Sequence, residues 1–464
     1  MSSNFFIRSK PKGGKEKKRK GKGMVHFDQA AKKKRLSKLK ADFQDEEISS
    51  EEDDAYVHNE RVETDEEEFL TPQEKKLKLA KKYLKEIEEE EKAKQDLDEV
   101  GGDVILDRLK EDVLSQAGRL RRKVFDKIKT EYNDCDINVL KCKEHKLSIT
   151  CVAVSNDFHI FTGSKDSSIV KWSLAEMKKV STIPPKHKSK HNENLHSTTI
   201  LSLAVSHDNK YLASADENPV IQMWDAQSLA HLFSFKGHRA GVTGLAFCRH
   251  TNTLYSSSRD RTVKVWNVLE RAYVETLFGH QNPITDLDVL SKDRAVTSGG
   301  VDGTVRVWKI QEESQLIFNG HGRSIDSVRR LDDRHFVTCG DEGSLCLWSV
   351  LKKKALLTKN PAHGMNEMSK EPYWITAVGC IPNTEIFASG SSNGQIQIWR
   401  CDDNYKGASV LTTIPIVGFV NSLVFSSDQK YLIAGIGQEH RLGRWSRIKE
   451  AKNSVLVINI QKSE

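Results

Sequence analysis

The sequence predicts an all-β protein: a seven-bladed β-propeller preceded by a disordered charged tail and two helical segments. Three observations carry this. Seven tryptophans (Trp172, Trp224, Trp266, Trp308, Trp348, Trp399 and Trp445) recur every 40 to 52 residues, each closing a short stretch such as IVKW, IQMW, VKVW, VRVW, LCLW, IQIW or RLGRW. A histidine stands 27 or 28 residues before the tryptophan at His145, His196, His238, His280 and His321, and glycine precedes the last three of these. An acid stands six residues before the tryptophan at Asp166, Asp260, Asp302 and Glu342.

A period of about 40 residues with this punctuation is that of WD repeats, each supplying one four-stranded blade. The indole packs between blades and its N–H needs a partner when buried. A turn aspartate, the histidine and a strand serine or threonine form the network that ties a blade together. Such His, Ser and Asp sets imitate hydrolase triads, but a nucleophile is needed once and these recur at the repeat period. No Gly-rich phosphate loop, HExxH or GxSxG occurs in the chain. The sequence therefore points away from an enzyme and toward a binding scaffold without cofactors.

The chain divides into a tail over 1–70, a helical segment over 71–134 and the propeller over 135–464. Residues 1–40 carry 15 Lys and Arg against 2 acids, and residues 41–70 carry 1 against 14. Like-charged blocks repel themselves and cannot bury a core, so the tail is expected to be disordered. Within it, KEKKRKGK (Lys15, Lys17, Lys18, Arg19, Lys20) and KKKR (Lys32, Lys33, Lys34, Arg35) have the look of a two-part nuclear import signal read by an acidic receptor groove. A solvated basic arm that touches RNA non-specifically is the plainer alternative. Ser49, Ser50 and Thr64 precede acids and suit phosphorylation by an acidophilic kinase, the alternative being an acidic spacer.

Thr71-Pro72-Gln73-Glu74 offers an N-cap, a first-turn proline and a capping glutamate, which predicts a helix over about 71–95. Leu106, Leu109, Val113, Leu120, Val124 and Ile128 form a helical stripe that predicts a second helix over about 103–130. Neither sustains three heptads, so each stripe must be buried on the propeller's side or on a partner.

The strand INVLKC at 137–142 has the phase of an outer strand and is expected to complete the last blade; VLVINI at 455–460 is the competing candidate. Eight scattered cysteines without a CxxC predict free thiols, with neither disulfide framework nor metal site. No apolar run reaches the roughly 18 residues of a membrane span, and the basic N-terminus lacks an apolar stretch, so neither membrane insertion nor secretion is expected.

Departures from the repeat locate the candidate binding residues, because loops on a rigid scaffold carry function. The first connection between blades, PPKHKSKHNENLH, is enlarged and basic and offers Lys186, His187, Lys188 and Lys190. The sixth repeat carries the insert GMNEMSKEPYW ending in Trp374, an eighth tryptophan outside the period. The seventh lacks the Gly-His pair and the aspartate, and has GQEHRLGRWSRIKEAKNS instead, with Arg441, Arg444, Arg447, Lys449 and Lys452. Read as an alternating strand with Trp445 facing the core, this stretch places Arg441 and Arg444 on opposite faces. Arginine's planar fork suits phosphates and base edges, while the plainer reading pairs Arg441 with a turn acid such as Glu439.

TPQEKKLKLAKKYL at 71–84, LKEDVLSQAGRLRR at 109–122, GHRAGVTGLAF at 237–247, DGTVRVWKIQEESQLIF at 302–318 and GQEHRLGRWSRIKEAKNSV at 437–455 carry a closer resemblance. The chain resembles the WD-repeat protein of the U3 small nucleolar ribonucleoprotein over nearly everything from 71 onward. Ser446 departs from it where a second tryptophan is common. The resemblance implies a nucleolar protein that binds the box B/C region of U3 small nucleolar RNA beside a kink-turn-binding protein. It also implies small-subunit processome proteins as partners and a role in 18S maturation. A substrate receptor of a cullin ubiquitin ligase is the alternative, but no tryptophan here is followed by the Asp-x-Arg of such receptors. A G-protein β-like subunit would need the heptads that the helical segment lacks.

Overall fold

The computed structural model describes residues 77–85, 108–109, 112–113, 120–133, 136–141, 143–188, 194–249, 251–291, 293–367 and 369–462. Residues 77–85 are helical and exposed throughout; they belong to a separate compact unit, 1–89. The tail with its import and phosphorylation candidates lies outside the described residues, as does the rest of the expected 71–95 helix.

Seven four-stranded antiparallel sheets make up the propeller. Six are simple meanders, spanning 149–183, 200–236, 242–278, 286–319, 325–359 and 375–415. The seventh is built from Phe419–Phe425, Tyr431–Gly437, Ser454–Asn459 and, as its outer strand, Ile137–Leu140. Ile137 pairs with Ile458 and Leu140 with Val455, so the ring is closed by the N-terminal strand. The two strands proposed as competitors are thus neighbours: 454–459 is the third strand and 137–140 the fourth. Closure leaves no innermost edge exposed.

In blades one to six the periodic tryptophan lies on the third strand and is almost wholly buried. Its indole N–H donates to a second-strand hydroxyl at 2.7–3.0 Å: Thr162, Ser214, Ser256, Thr297, Thr338 and Ser389 in turn. The Nε2 of His145, His196, His238, His280, His321 and His363 meets the same hydroxyls at 2.6–2.8 Å. The hydroxyls are wholly buried and committed on both sides, which makes these sets structural networks and not nucleophiles.

The acid partners differ from the sequence expectation. Asp260 and Asp302 take the Nδ1–H of His238 and His280, both at 2.9 Å. In the second blade Asp216, eight residues before Trp224, lies 3.2 Å from His196 Nδ1. Asp166 and Glu342 do not touch the histidine; His145 and His321 turn Nδ1 to Ser168 and Ser344. Ser168 relays to Asp166, whereas Glu342 has no hydrogen-bond partner among the described residues.

The expected helix over 103–130 does not run to its predicted end. Residues 120–133 are non-helical apart from a 3-10 turn at Phe125–Lys127, and Arg122 bridges to Thr384 and Ile128 to Gln461. Val124 and Ile128 are buried in the cluster of Ile381, Ile386, Leu423, Leu432 and Ile460. Helical spacing placed them on one stripe, but the apolar seam between blades six and seven captures them as an extended strap. Tertiary burial here outweighs a modest helix propensity.

Candidate functional site

In an antiparallel meander the loop between the second and third strands and the connection from the fourth strand to the next blade lie at the same end. All three departures from the repeat, 184–199, 360–374 and 438–453, are loops of these two kinds. They therefore gather at one end of the propeller, hereafter the loop end, although the last begins about 240 residues after the first ends.

The seventh-blade loop departs most from expectation. Residues 440–446 are not a strand, and Trp445 does not face the core but is 61% exposed. The third strand of this blade has no tryptophan, its buried residues being Ser454, Val455, Leu456, Val457 and Ile458. With no histidine network to satisfy, nothing draws Trp445 inward. It stacks instead in parallel on Trp374 (centroids 5.6 Å apart, interplanar angle 8°), and His440 stacks on Trp374 at 4.0 Å. Gly443 lies under the Trp445 ring, where a Cβ would come within 1.8 Å of Cζ3. The eighth tryptophan and the seventh thus form one aromatic platform joining the sixth-repeat insert to the seventh-blade loop. The one tryptophan outside the period, Trp374, was the sequence signal for it; its pairing with Trp445 was not legible.

Burial pushes His440 down to about 3, with Arg441 and Lys165 adding to the effect, so its ring is neutral. Below it, buried Asp326 accepts the Trp374 indole N–H. Burial raises the Asp326 carboxyl to about 6, opposed by the adjacent Arg441 guanidinium. Arg441 runs inward: its backbone N–H donates to Asn421 Oδ1 at 2.9 Å and its guanidinium to the Asp326 carbonyl. It lines an axial cavity of about 220 Å³. Arg441 is therefore directed into the channel, on the inward side that alternation suggested, but from a loop and not from a strand.

The Glu439 contact assigned to Arg441 belongs to its neighbours. Arg444 Nε lies 3.0 Å from Glu439 Oε2, and Lys165 Nζ lies 3.6 Å from the same oxygen. Arg444 remains 61% exposed along its side chain, so most of its fork faces solvent. Arg447 donates to Gln438 Oε1 at 2.8 Å and is exposed, as are Lys449 and Lys452. In the first connection, Lys186 and His187 lie exposed on a 3-10 turn, Lys186–Lys188. Lys190 and the side chain of Lys188 lie outside the described residues. Sequence reasoning missed Lys165 and Arg259, which with Arg444 line a surface recess of about 300 Å³ beside this loop. Both sit next to repeat turns and look like ordinary blade residues in the sequence.

Repeated Trp–hydroxyl–His networks in a closed ring define a WD-repeat propeller protein. The family described as "WD domain, G-beta repeat" matches at 137–173, 188–225, 229–267, 271–309, 312–349 and 367–400. U3 small nucleolar RNA-interacting protein 2 of Mus musculus is 52% identical over 396 residues, covering 84% of this chain and 83% of that protein. Its Homo sapiens counterpart is 51% identical with the same coverage. The solved structure described as "Structure of U3-55K" superposes with a TM-score of 0.68 at 49% identity, covering 71% of this chain and all of that one. The chain belongs to the U3 small nucleolar RNA-interacting protein 2 family.

Proposed function

We propose that the chain is a non-catalytic RNA–protein scaffold of the U3 small nucleolar ribonucleoprotein. In this reading it binds the box B/C region of U3 RNA beside the kink-turn-binding protein and supports processing to 18S ribosomal RNA in the small-subunit processome. The observation that carries the reading is the loop over 438–453. It spends a long insertion on presenting Arg444, Arg447, Lys449 and Lys452 to solvent around an exposed tryptophan, which a propeller does not need for its own stability. Guanidinium and ammonium groups bind phosphates, and an exposed indole offers a stacking face for an unpaired base. The basic connection, whose sequence carries Lys186, Lys188 and Lys190, adds electrostatic attachment. A nuclear and nucleolar location, reached through an import receptor reading 15–35, follows from the same role.

The test is Arg444→Ala with Arg447→Ala, assayed for box B/C binding with the kink-turn protein present and for thermal unfolding. Loss of binding with an unchanged melting transition is expected. A folded double variant that binds like the native chain would move the interface away from this loop.

A further inference from the structure

At the opposite end, the turns between first and second strands ring a recess of about 430 Å³ at the axial mouth. Arg122, Arg249, Arg329 and His207 line it, together with Asn383 and Gln429, and no carboxylate among the described residues does so. Arg329 also lines the axial cavity and is ion-paired to Asp286, so it partitions the recess from the channel. Arg122 and Arg249 are different: among the described residues neither guanidinium has a hydrogen bond or an ion pair within 4 Å, although the Asp288 and Asp333 carboxylates favour the charged form of Arg249 from farther away. The remaining wall mixes polar Asn156, Ser426 and Ser427 with apolar Leu120, Val154 and Phe425.

The chain fixes Arg122 here at some length. Its backbone N–H donates to the Asn383 carbonyl at 2.8 Å. On one side, Arg121 donates to the carbonyls of Asp403 (2.9 Å) and Asp402 (3.2 Å) and lies over the Tyr405 ring at 4.3 Å. On the other, the Glu385 carboxylate accepts the N–H groups of Val124 (3.0 Å) and Phe125 (2.9 Å). The strap is pinned before and after Arg122, which leaves that one side chain at the recess with nothing to bind. A long cation held this way has lost part of its ordering entropy before any ligand arrives.

We propose that this recess is a binding site for an acidic peptide segment of a partner protein, independent of the RNA reading of the loop end. Arg122 and Arg249 would each take a carboxylate through the planar fork. Leu120, Val154 and Phe425 would cover the aliphatic stems of the glutamates. A recess of this size at the end of a ring admits a few side chains and not a nucleic-acid helix, which favours a peptide over the phosphate backbone of structured RNA.

The experiment uses the full chain and a fluorescein-labelled octapeptide of glutamate, aspartate and leucine, with its glutamine and asparagine analogue as the neutral control. Anisotropy should report binding of the acidic peptide and none of the control. Arg122→Ala with Arg249→Ala should weaken binding at least tenfold while the melting transition is kept. Failure of the native chain to bind the acidic peptide overturns the proposal, as does wild-type affinity in the double variant. Displacement of the peptide by labelled oligouridylate with the same dependence on both arginines would also overturn it, by making RNA the occupant.

Discussion

Asp260 and Glu342 occupy the same position of the repeat, six residues before their tryptophans, yet replacing each by alanine should have very different consequences. The Asp260 carboxylate accepts four hydrogen bonds: His238 Nδ1 (2.9 Å), the Arg239 and Thr262 backbone N–H groups (2.9 Å each) and the Thr262 hydroxyl (2.5 Å). Burial pushes its carboxyl up, but the bonds from His238, Thr262 and Arg239 outweigh this and hold it well below the ordinary carboxylate range. After Asp260→Ala, water can reach the Arg239 and Thr262 groups near the surface. It cannot reach the His238 ring, which is 0% exposed and would keep an orphaned N–H. An unsatisfied buried donor costs roughly 1–3 kcal/mol and a hydrogen bond to a charged group contributes about 1.5–3 kcal/mol net. Because these overlap, the expected loss is about 2–4 kcal/mol. Glu342→Ala should stay within about 0.5 kcal/mol, since His321 is already satisfied by Ser344 at 3.0 Å. Urea unfolding reads both as shifts in midpoint at constant slope. Equal losses in the two variants would refute the account of the networks given above.

Three further outcomes are expected. Ile128→Ala should destabilise the propeller by about 2–4 kcal/mol, because the side chain is 2% exposed in the seam between blades six and seven; a loss under about 0.5 kcal/mol in urea would deny the strap a structural role. Burial holds the imidazoles of His145, His321 and His363 down to about 4, so the unfolded chain binds more protons than the folded one from about pH 6.5 down to that value. Stability should therefore be lost as pH falls through this window, by about 1.4 kcal/mol per pH unit for each histidine, and a melting temperature flat from pH 6.5 to 4.5 would contradict it. Neutralising Lys186, Lys188 and Lys190 should lower the logarithmic salt slope of RNA binding by up to about 3, and an unchanged slope would mark a merely solvated loop.

How much was legible follows from how local each signal is. Six blades could be read from tryptophan spacing, five of them with a periodic histidine as well, because each network is completed within one repeat, its hydroxyl 10 or 11 positions before the tryptophan and 17 to 26 after the histidine. The seventh was counted from Trp445, but its layout could not be read, since its third strand carries neither tryptophan nor histidine and Trp445 falls in a loop. Asp216 was missed because a turn can supply its carboxylate from two residues earlier. Val124 and Ile128 were recognised as apolar residues that need burial, on the propeller's side or on a partner, but their helical spacing could not reveal that an extended strap of the propeller would bury them.

The sequence by itself determined the repeat architecture, the number of blades and the charged tail, because period, hydrophobic alternation and charge segregation act over short stretches of chain. It also singled out the segments that depart from the repeat. Only the tertiary structure decided where those segments meet. Ring closure by Ile137–Leu140 brings the first described strand beside the last, and the antiparallel meander sends three distant insertions to one end. Trp374 and Trp445 then stack across 71 residues, Arg441 turns inward to Asp326, and Arg122 is held at the opposite mouth. Each of these contacts is set by the geometry of the closed ring, and no spacing along the chain encodes it.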